Sequence, residues 1–313
     1  MPCISVVQKA NAAYAPSYVP VVVITGATSG IGQAMTELLA RYLRGRVHIV
    51  LVGRNREAAE RIIASLPKTG SDTTYEFVTC DMTLMKNVHA LAKDLLERMP
   101  KINYLVHSAG VFSFKGREET EEGIDRKLAS RYYSRWTLTN DLLPLLRKAK
   151  EAGEAASVLS ILGAGKGPQI DLNDLGLKKS WGGFKAMMQS LSYNDLMVAE
   201  FAAREPDIAF SHIFPGNVDT PGLGPSEDSS LLVKTAFGVM RPLIWLASTK
   251  QEVCAEYMLY TLLSAEKGMY RRNSSADDIG MKSFPGTKEA QKILWEHTVE
   301  ETTVKTKESP AAS

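Results

Sequence analysis

The chain has 313 residues, 44% of them hydrophobic, enough to bury a full core in one large domain. Its 37 basic and 35 acidic residues leave a formal charge of +2 spread along the chain, which excludes a nucleic-acid or anionic-membrane footprint and favours a small-molecule partner. Cys3, Cys80 and Cys254 are too few and too scattered for a disulfide framework or a zinc site, so no metal is expected and a reducing, cytoplasmic setting is.

Residues 1–19 read as an N-terminal extension without the basic start and continuous apolar core of a leader peptide. Short β-branched or apolar runs follow at 21–25, 47–53, 75–80, 102–107, 157–161 and 209–214, as expected for strands covered on both faces. Between them, apolar residues recur at three and four over 33–43, 56–66, 82–99, 120–150 and 181–204, the pattern of crossover helices. The alternation predicts an α/β fold, a single doubly wound parallel sheet of six strands. After Pro215 the pattern changes to helices near 230–248, 252–263 and 287–301. The stretch from Leu231 to Ala247, interrupted by Lys234 and Arg241, is too short and too charged to span a bilayer. It reads as part of a lid over a substrate pocket at about 221–250, and 266–313 as a helical tail.

The first strand runs into Thr25-Gly26-Ala27-Thr28-Ser29-Gly30-Ile31-Gly32 and then into a helix. A buried strand ending in such a turn lets the backbone approach a pyrophosphate, with the free N–H groups of the next helix facing the anion. That is a dinucleotide site, and residues 20–265 read as its domain. At the end of the second strand stand Arg54 and Asn55, with no carboxylate to take a ribose 2′-hydroxyl. Arg54 therefore favours NADP(H) over NAD(H), because a guanidinium bonds a 2′-phosphate. After the third strand Asp81 and Met82 set a carboxylate near an adenine amino group, or a helix cap. After the fourth, Ser108, Ala109 and Gly110 let the chain pass close under a ligand, while His107 reads as structural. After the sixth, Pro215, Gly216, Val218 and Thr220 offer an N–H and a hydroxyl to a carboxamide.

In this order the landmarks resemble the short-chain dehydrogenase/reductase family over residues 20 to 265. Ile4, Asn11 and Pro20, the run Arg131-Tyr132-Tyr133-Ser134-Arg135 and the run Trp295-Glu296-His297-Thr298 resemble a fungal branch of it. The resemblance implies a tyrosine that passes a proton at the substrate oxygen and a lysine four residues on that binds the nicotinamide ribose. It also implies a serine that polarises the carbonyl and an asparagine that holds a water. Tyr193 is followed four residues later by Met197 and lies only 22 residues before Pro215, where roughly 30 are needed for helix, loop and strand. Trp181, 34 residues before Pro215, stands four before Lys185, so these two align with the family pair.

The family serine falls near Gly163 or Ala164, with Ser160 a few residues early, and Arg131 falls near the asparagine. An indole has no titratable proton near neutral pH, so Trp181 cannot replace a phenol. Asp171, Asp174, Tyr132, Tyr133 and Lys185 are the alternative proton sources. The expectation is an NADP(H)-dependent reductase of a carbonyl or imine in a small apolar metabolite, in fungal secondary metabolism. Lys185, Trp181, Ser160 and Arg131 would form its active site, and the 181–204 helix offers a surface for a homo-oligomer. The alternative is a cofactor-binding scaffold without redox turnover.

Overall fold

The computed structural model describes residues 2–111, 116–220, 235, 238, 241 and 248–303. The expected lid at about 221–250 and the helix near 230–248 lie almost wholly outside the described residues. The chain opens with helix α1 (Ile4–Ala13), then β1 (Val21–Thr25), α2 (Gly30–Tyr42), β2 (His48–Gly53), α3 (Arg56–Ser65), β3 (Thr74–Thr79), α4 (Met85–Arg98) and β4 (Tyr104–His107). A short helix α5 (Arg126–Leu128) passes through a π-helical turn (Ala129–Tyr133) into α6 (Ser134–Glu151), followed by β5 (Ser157–Ile161). Then come α7 (Gly183–Arg204), β6 (Ala209–Ile213), α8 (Gln251–Ser264), β7 (Gly268–Arg272) and α9 (Lys288–Thr302).

All pairings are parallel, in the order β3-β2-β1-β4-β5-β6-β7. The order reverses beside β1, which pairs with β2 on one side and β4 on the other, and in open α/β sheets ligands bind at that crevice. Among the described residues the sheet has seven strands and not six. The seventh, Gly268–Arg272, lies in the segment expected to be helical tail, and its composition hides it: two arginines and a glycine on a sheet edge carry no apolar alternation.

Burial on both faces explains why β1, Val-Val-Val-Ile-Thr, is apolar throughout. Val21 and Val23 join a core with residues of α4, α6 and α7, while Val22 and Ile24 join a second with residues of α2 and α8. Helix α1 docks on the second layer, where Asn11 Nδ2 donates to Glu256 Oε2 at 2.7 Å and Tyr42 Oη donates to the same carboxylate. Helix α9 covers the first layer, with Trp295 packed between Trp136 and Phe201. It thus packs against α7, the helix expected to offer a surface for a homo-oligomer. Tyr132 Oη bonds Thr298 Oγ1 at 2.6 Å and Tyr133 Oη bonds His297 Nε2 at 2.8 Å, so two of the branch-like runs meet in space. Among the described residues no helix is long and apolar enough to cross a membrane, and no group of three His, Cys, Asp or Glu could hold a metal.

Candidate active site at the carboxyl edge of the sheet

The glycines after β1 are fixed by contact. Gly26 has φ +74°, and a Cβ there would stand 2.7 Å from the backbone nitrogen of Ala109. At Gly32 it would stand 2.4 Å from the Gly26 carbonyl oxygen. The turn therefore closes to van der Waals distance only without side chains. Gln33 N is the first to bond within the helix, to Ser29 O, so the N–H groups of Gly30, Ile31 and Gly32 have no intrahelical acceptor. They form the positive end of α2.

A cleft runs along this edge, lined by Gly26, Thr28, Ser29, Gly30, Ile31, Arg54, Asp81, Met82, Ser108, Ala109, Gly110 and Thr220. Gly53 and Cys80, next to Arg54 and Asp81 in the chain, also line it, as do Thr83, Val111 and Ser130, which nothing in their local sequence marks. Thr25, Gly32, Asn55, Pro215, Gly216 and Val218 do not line it. Thr25 Oγ1 bonds Val106 O at 3.3 Å, joining β1 to β4, and Asn55 Oδ1 caps α3 through Ala58 N at 2.9 Å. Val218 is buried and pairs with Thr249, and Cys254 Sγ donates to Pro215 O, which ties the strand-six turn to α8. Asp81 Oδ1 accepts from Thr83 N and Oγ1 at 3.0 and 2.9 Å. Its other oxygen has no partner among the described residues, and α4 is capped instead by Glu122, which takes the N–H groups of Met85 and Lys86. Arg54 is exposed on the rim at the end of β2, without an acidic partner among the described residues.

Trp181 and Lys185 do not come together on one helical face, and neither lines the cleft. Trp181 precedes the first residue of α7 and lies beneath Arg117 and Lys127, whose cations stand 5.6 and 5.3 Å from its ring. Lys185 Nζ bonds Ser180 Oγ. The part of α7 that meets the end of β5 comes later. A Cβ on Gly163 would stand 2.8 Å from Leu191 Cδ1, Arg131 Nε donates to Ser190 Oγ at 3.1 Å, and Ser160 Oγ donates to Asn194 Oδ1 at 2.6 Å. The i and i+4 pair at this place is Met187 and Leu191, which carry neither phenol nor ammonium.

The other expected proton sources also face elsewhere. Tyr132 and Tyr133 point to α9, and burial pushes both phenols above their ordinary range. Tyr193 accepts from Gly176 N, Asp171 closes a turn through Asn173 N, and Asp174 takes the N–H groups of Lys179 and Ser180. Ser160 is fully buried, its hydroxyl held between Asn194 and Arg135.

His107, on β4, bonds Thr139 Oγ1 at 2.9 Å and is held well below 6.5 by burial and then by Arg135. His212 Nδ1 faces Asp195 Oδ1 at 2.7 Å while its Nε2 accepts from Gly163 N at 3.1 Å, so the neutral Nδ1–H tautomer fits both partners. Burial lowers the pKa of His212 and of His297 as well. The unfolded chain thus binds protons at these three rings before the folded one does, and stability must fall as pH drops below 6.5. His89, raised through Asp141, acts in the opposite sense. Three lowered rings against one raised ring leave a net loss of stability in urea denaturation between pH 7 and 5.5, and a flat profile would contradict neutral buried rings.

The fold is that of an α/β protein of the doubly wound kind, with its cleft at the crevice where such sheets bind ligands. Residues 20–229 match the short chain dehydrogenase family, to which the chain belongs. Oxidoreductase AN1596 of Emericella nidulans is 33% identical over 220 residues, covering 70% of this chain and 65% of that protein. The NmrA-like family domain-containing oxidoreductase notO of an Aspergillus species is 34% identical over 206 residues, covering 65% and 61%. The matches thus span slightly less than two thirds of those two proteins. Oxidoreductase andH of Emericella variicolor is 31% identical over 270 residues, covering 85% and 76%. Among solved structures, a short-chain dehydrogenase from Streptomyces avermitilis superposes with a TM-score of 0.58 at 20% identity, covering 91% and 94% of the two chains. An NADPH bound carbonyl reductase from chicken fatty liver gives 0.57 at 19%, covering 84% and 99%. The chain is thus a member of an oxidoreductase family, with fungal oxidoreductases among its relatives.

Proposed function

We propose that the protein is an NADP(H)-dependent oxidoreductase that reduces a carbonyl or imine in a small apolar metabolite, within fungal secondary metabolism and in the cytoplasm. The observation that carries the cofactor choice is Arg54, a guanidinium exposed on the cleft rim without an acidic partner among the described residues, at the end of β2, where the sequence has no carboxylate. NADPH, when bound, supplies a hydride. The N–H groups of Gly30 to Gly32 with Thr28 and Ser29 would hold its diphosphate, Arg54 its 2′-phosphate and Asp81 its adenine amino group. Thr220 would take the carboxamide.

An imine substrate suits this chain best. Addition of hydride to an iminium carbon gives a neutral amine directly, whereas a ketone leaves an alkoxide that needs a proton. Leu191 beside Gly163, with Met187 one turn earlier, provides no such proton. The same observation favours a second reading, a nicotinamide-binding scaffold without redox turnover.

Arg54→Ala is expected to weaken NADPH about 10–100-fold, in keeping with about 1.5–3 kcal/mol for a charge-assisted bond, and NADH less than about threefold. Equal losses in fluorescence titrations would sink the NADP(H) assignment. Loss of NADPH absorbance with a panel of ketones, enones and cyclic imines tests turnover. Binding without consumption of NADPH by any of them would decide for the scaffold.

A further inference from the structure

Two arginines leave the π-helical turn four residues apart and converge on one point. Arg135 is 2% exposed, with Nη1 donating to Ser160 Oγ at 2.7 Å and Ile161 O at 3.0 Å, and Nη2 donating to Ala109 O at 2.7 Å. Arg131 donates through Nε to Ser190 Oγ at 3.1 Å. All of these acceptors are neutral. A Cβ on Gly110 would lie 3.9 Å from Arg131 Nη1 and 3.9 Å from Arg135 Nη2, so both guanidiniums reach the same place at the end of β4. Gly110 and Ser130, beside them, line the cleft.

Among the described residues no carboxylate pairs with either arginine, although a buried cation is ordinarily paired. Burial pushes the Arg131 guanidinium down to about 10, and burial with repulsion from Arg131 pushes Arg135 down to about 9. Guanidiniums nevertheless do not give up a proton in proteins, so the site keeps two positive charges. An anion is the missing partner. Arg135 uses both terminal nitrogens internally and reinforces the field, while the terminal nitrogens of Arg131 have no partner among the described residues and offer one free fork. A free planar fork of two donors matches the two oxygens of a carboxylate.

We propose that Arg131, positioned by Ser190 and backed by Arg135, is the subsite for a carboxylate carried by the substrate. The proposal rests on the reading of the adjoining cleft as the NADP(H) site. It narrows the substrate from a small apolar metabolite to an apolar oxo or imino acid. Ser190 Oγ donates to Met187 O at 2.6 Å while it accepts from Arg131, which fixes the plane of the fork.

The test is calorimetric titration of the full chain, with and without NADPH, using hexanoate, benzoate and phenylacetate against their primary amides. In the wild type at least one carboxylate should bind at least about tenfold more tightly than its amide, the order expected of a charge-assisted pair. Arg131→Met should remove that preference, Arg131→Lys should keep part of it, and NADPH affinity by fluorescence should change less than about threefold in both. Ser190→Ala keeps the charge and frees the fork, and should weaken the carboxylate about 3–10-fold. It also keeps the test readable should Arg131→Met fail to fold.

No preference for any carboxylate in the wild type, or a preference that survives Arg131→Met, would overturn the proposal. So would an equal loss of NADPH affinity, which would give Arg131 to the cofactor. If NADPH binds to no variant and not to the wild type, the cofactor reading fails, and the titration without NADPH still decides the carboxylate.

Discussion

Gly26→Ala should weaken NADPH binding at least about 100-fold, the largest effect expected of any single methyl group in this chain. The methyl would meet Ala109 N at 2.7 Å and both Ala109 Cα and Ser108 C at 2.9 Å, all backbone atoms of the next strand's end. No rotamer change relieves that contact. Either the turn lifts off β4 or the segment from Ser108 to Gly110 moves, and both segments line the cleft.

Part of the cost is purely conformational, because φ is +74°. Gly153, at the α6 end, shares that φ of +74° and has nothing within 4 Å of its Cβ position. Gly153→Ala therefore measures the backbone cost alone, about 1–2 kcal/mol in urea denaturation, with NADPH affinity unchanged. The excess loss in Gly26→Ala is the contact. If Gly26→Ala binds NADPH within about threefold of wild type, the turn is not the diphosphate cradle.

This glycine was legible in the sequence because its requirement is local: strand, turn and helix follow one another without a break. Most of the six predicted strands were legible for a similar reason, since a parallel strand covered on both faces is rich in apolar residues, whereas β3, partly exposed at the sheet edge, is marked by its β-branched and aromatic residues Thr74, Tyr75, Phe77, Val78 and Thr79. β7 was not legible. Gly268-Met269-Tyr270-Arg271-Arg272 becomes a strand through its pairing with β6, and its buried Arg271 is made tolerable by Asp195, 76 residues away in the chain. Helix α1 is anchored by only Val7 and Asn11 among its fully buried residues, too few to write a period.

The catalytic end failed for a different reason. Counting back from Pro215 set the sheet-facing turn of α7 at Trp181 to Lys185, but the register of a helix against a strand is decided by side-chain packing. Leu191 against Gly163 and Asn194 against Ser160 put it at Met187 to Asn194. Neither contact leaves a trace in the local sequence. The family pattern points to Arg131, whereas nothing in the local sequence marks Arg135 as its neighbour at the end of β4.

Asp195→Asn is expected to cost about 3–5 kcal/mol of stability, because it breaks a buried ion pair by removing one member. Asp195 Oδ1 accepts from His212, and Oδ2 accepts from Arg271 Nη2 at 2.7 Å and from Gly165 N at 3.0 Å. All three side chains are fully buried. An amide in that place loses the charge and turns an N–H toward a donor, leaving the Arg271 guanidinium uncompensated in the interior. Arg271 also donates to Gly280 O at 2.6 Å and Lys282 O at 3.0 Å, so the loop after β7 is held through the same cation.

The charges hold Asp195 below the ordinary carboxylate pKa, although burial works against them. Its contribution is therefore present above the unfolded value of about 3.9 and disappears as pH falls below it, well separated from the histidine range. Urea denaturation at neutral pH measures the loss. The double variant Asp195→Asn with Arg271→Met removes both charges and should recover part of it, since the penalty in the single variant is mainly the orphaned cation. A single-variant loss below about 1 kcal/mol would mean that β7 is held by its ladder alone. A loss of the expected size would mean that the seventh strand depends on a charge placed in α7, the helix that also supplies Ser190 and Leu191 to the carboxyl edge of the sheet.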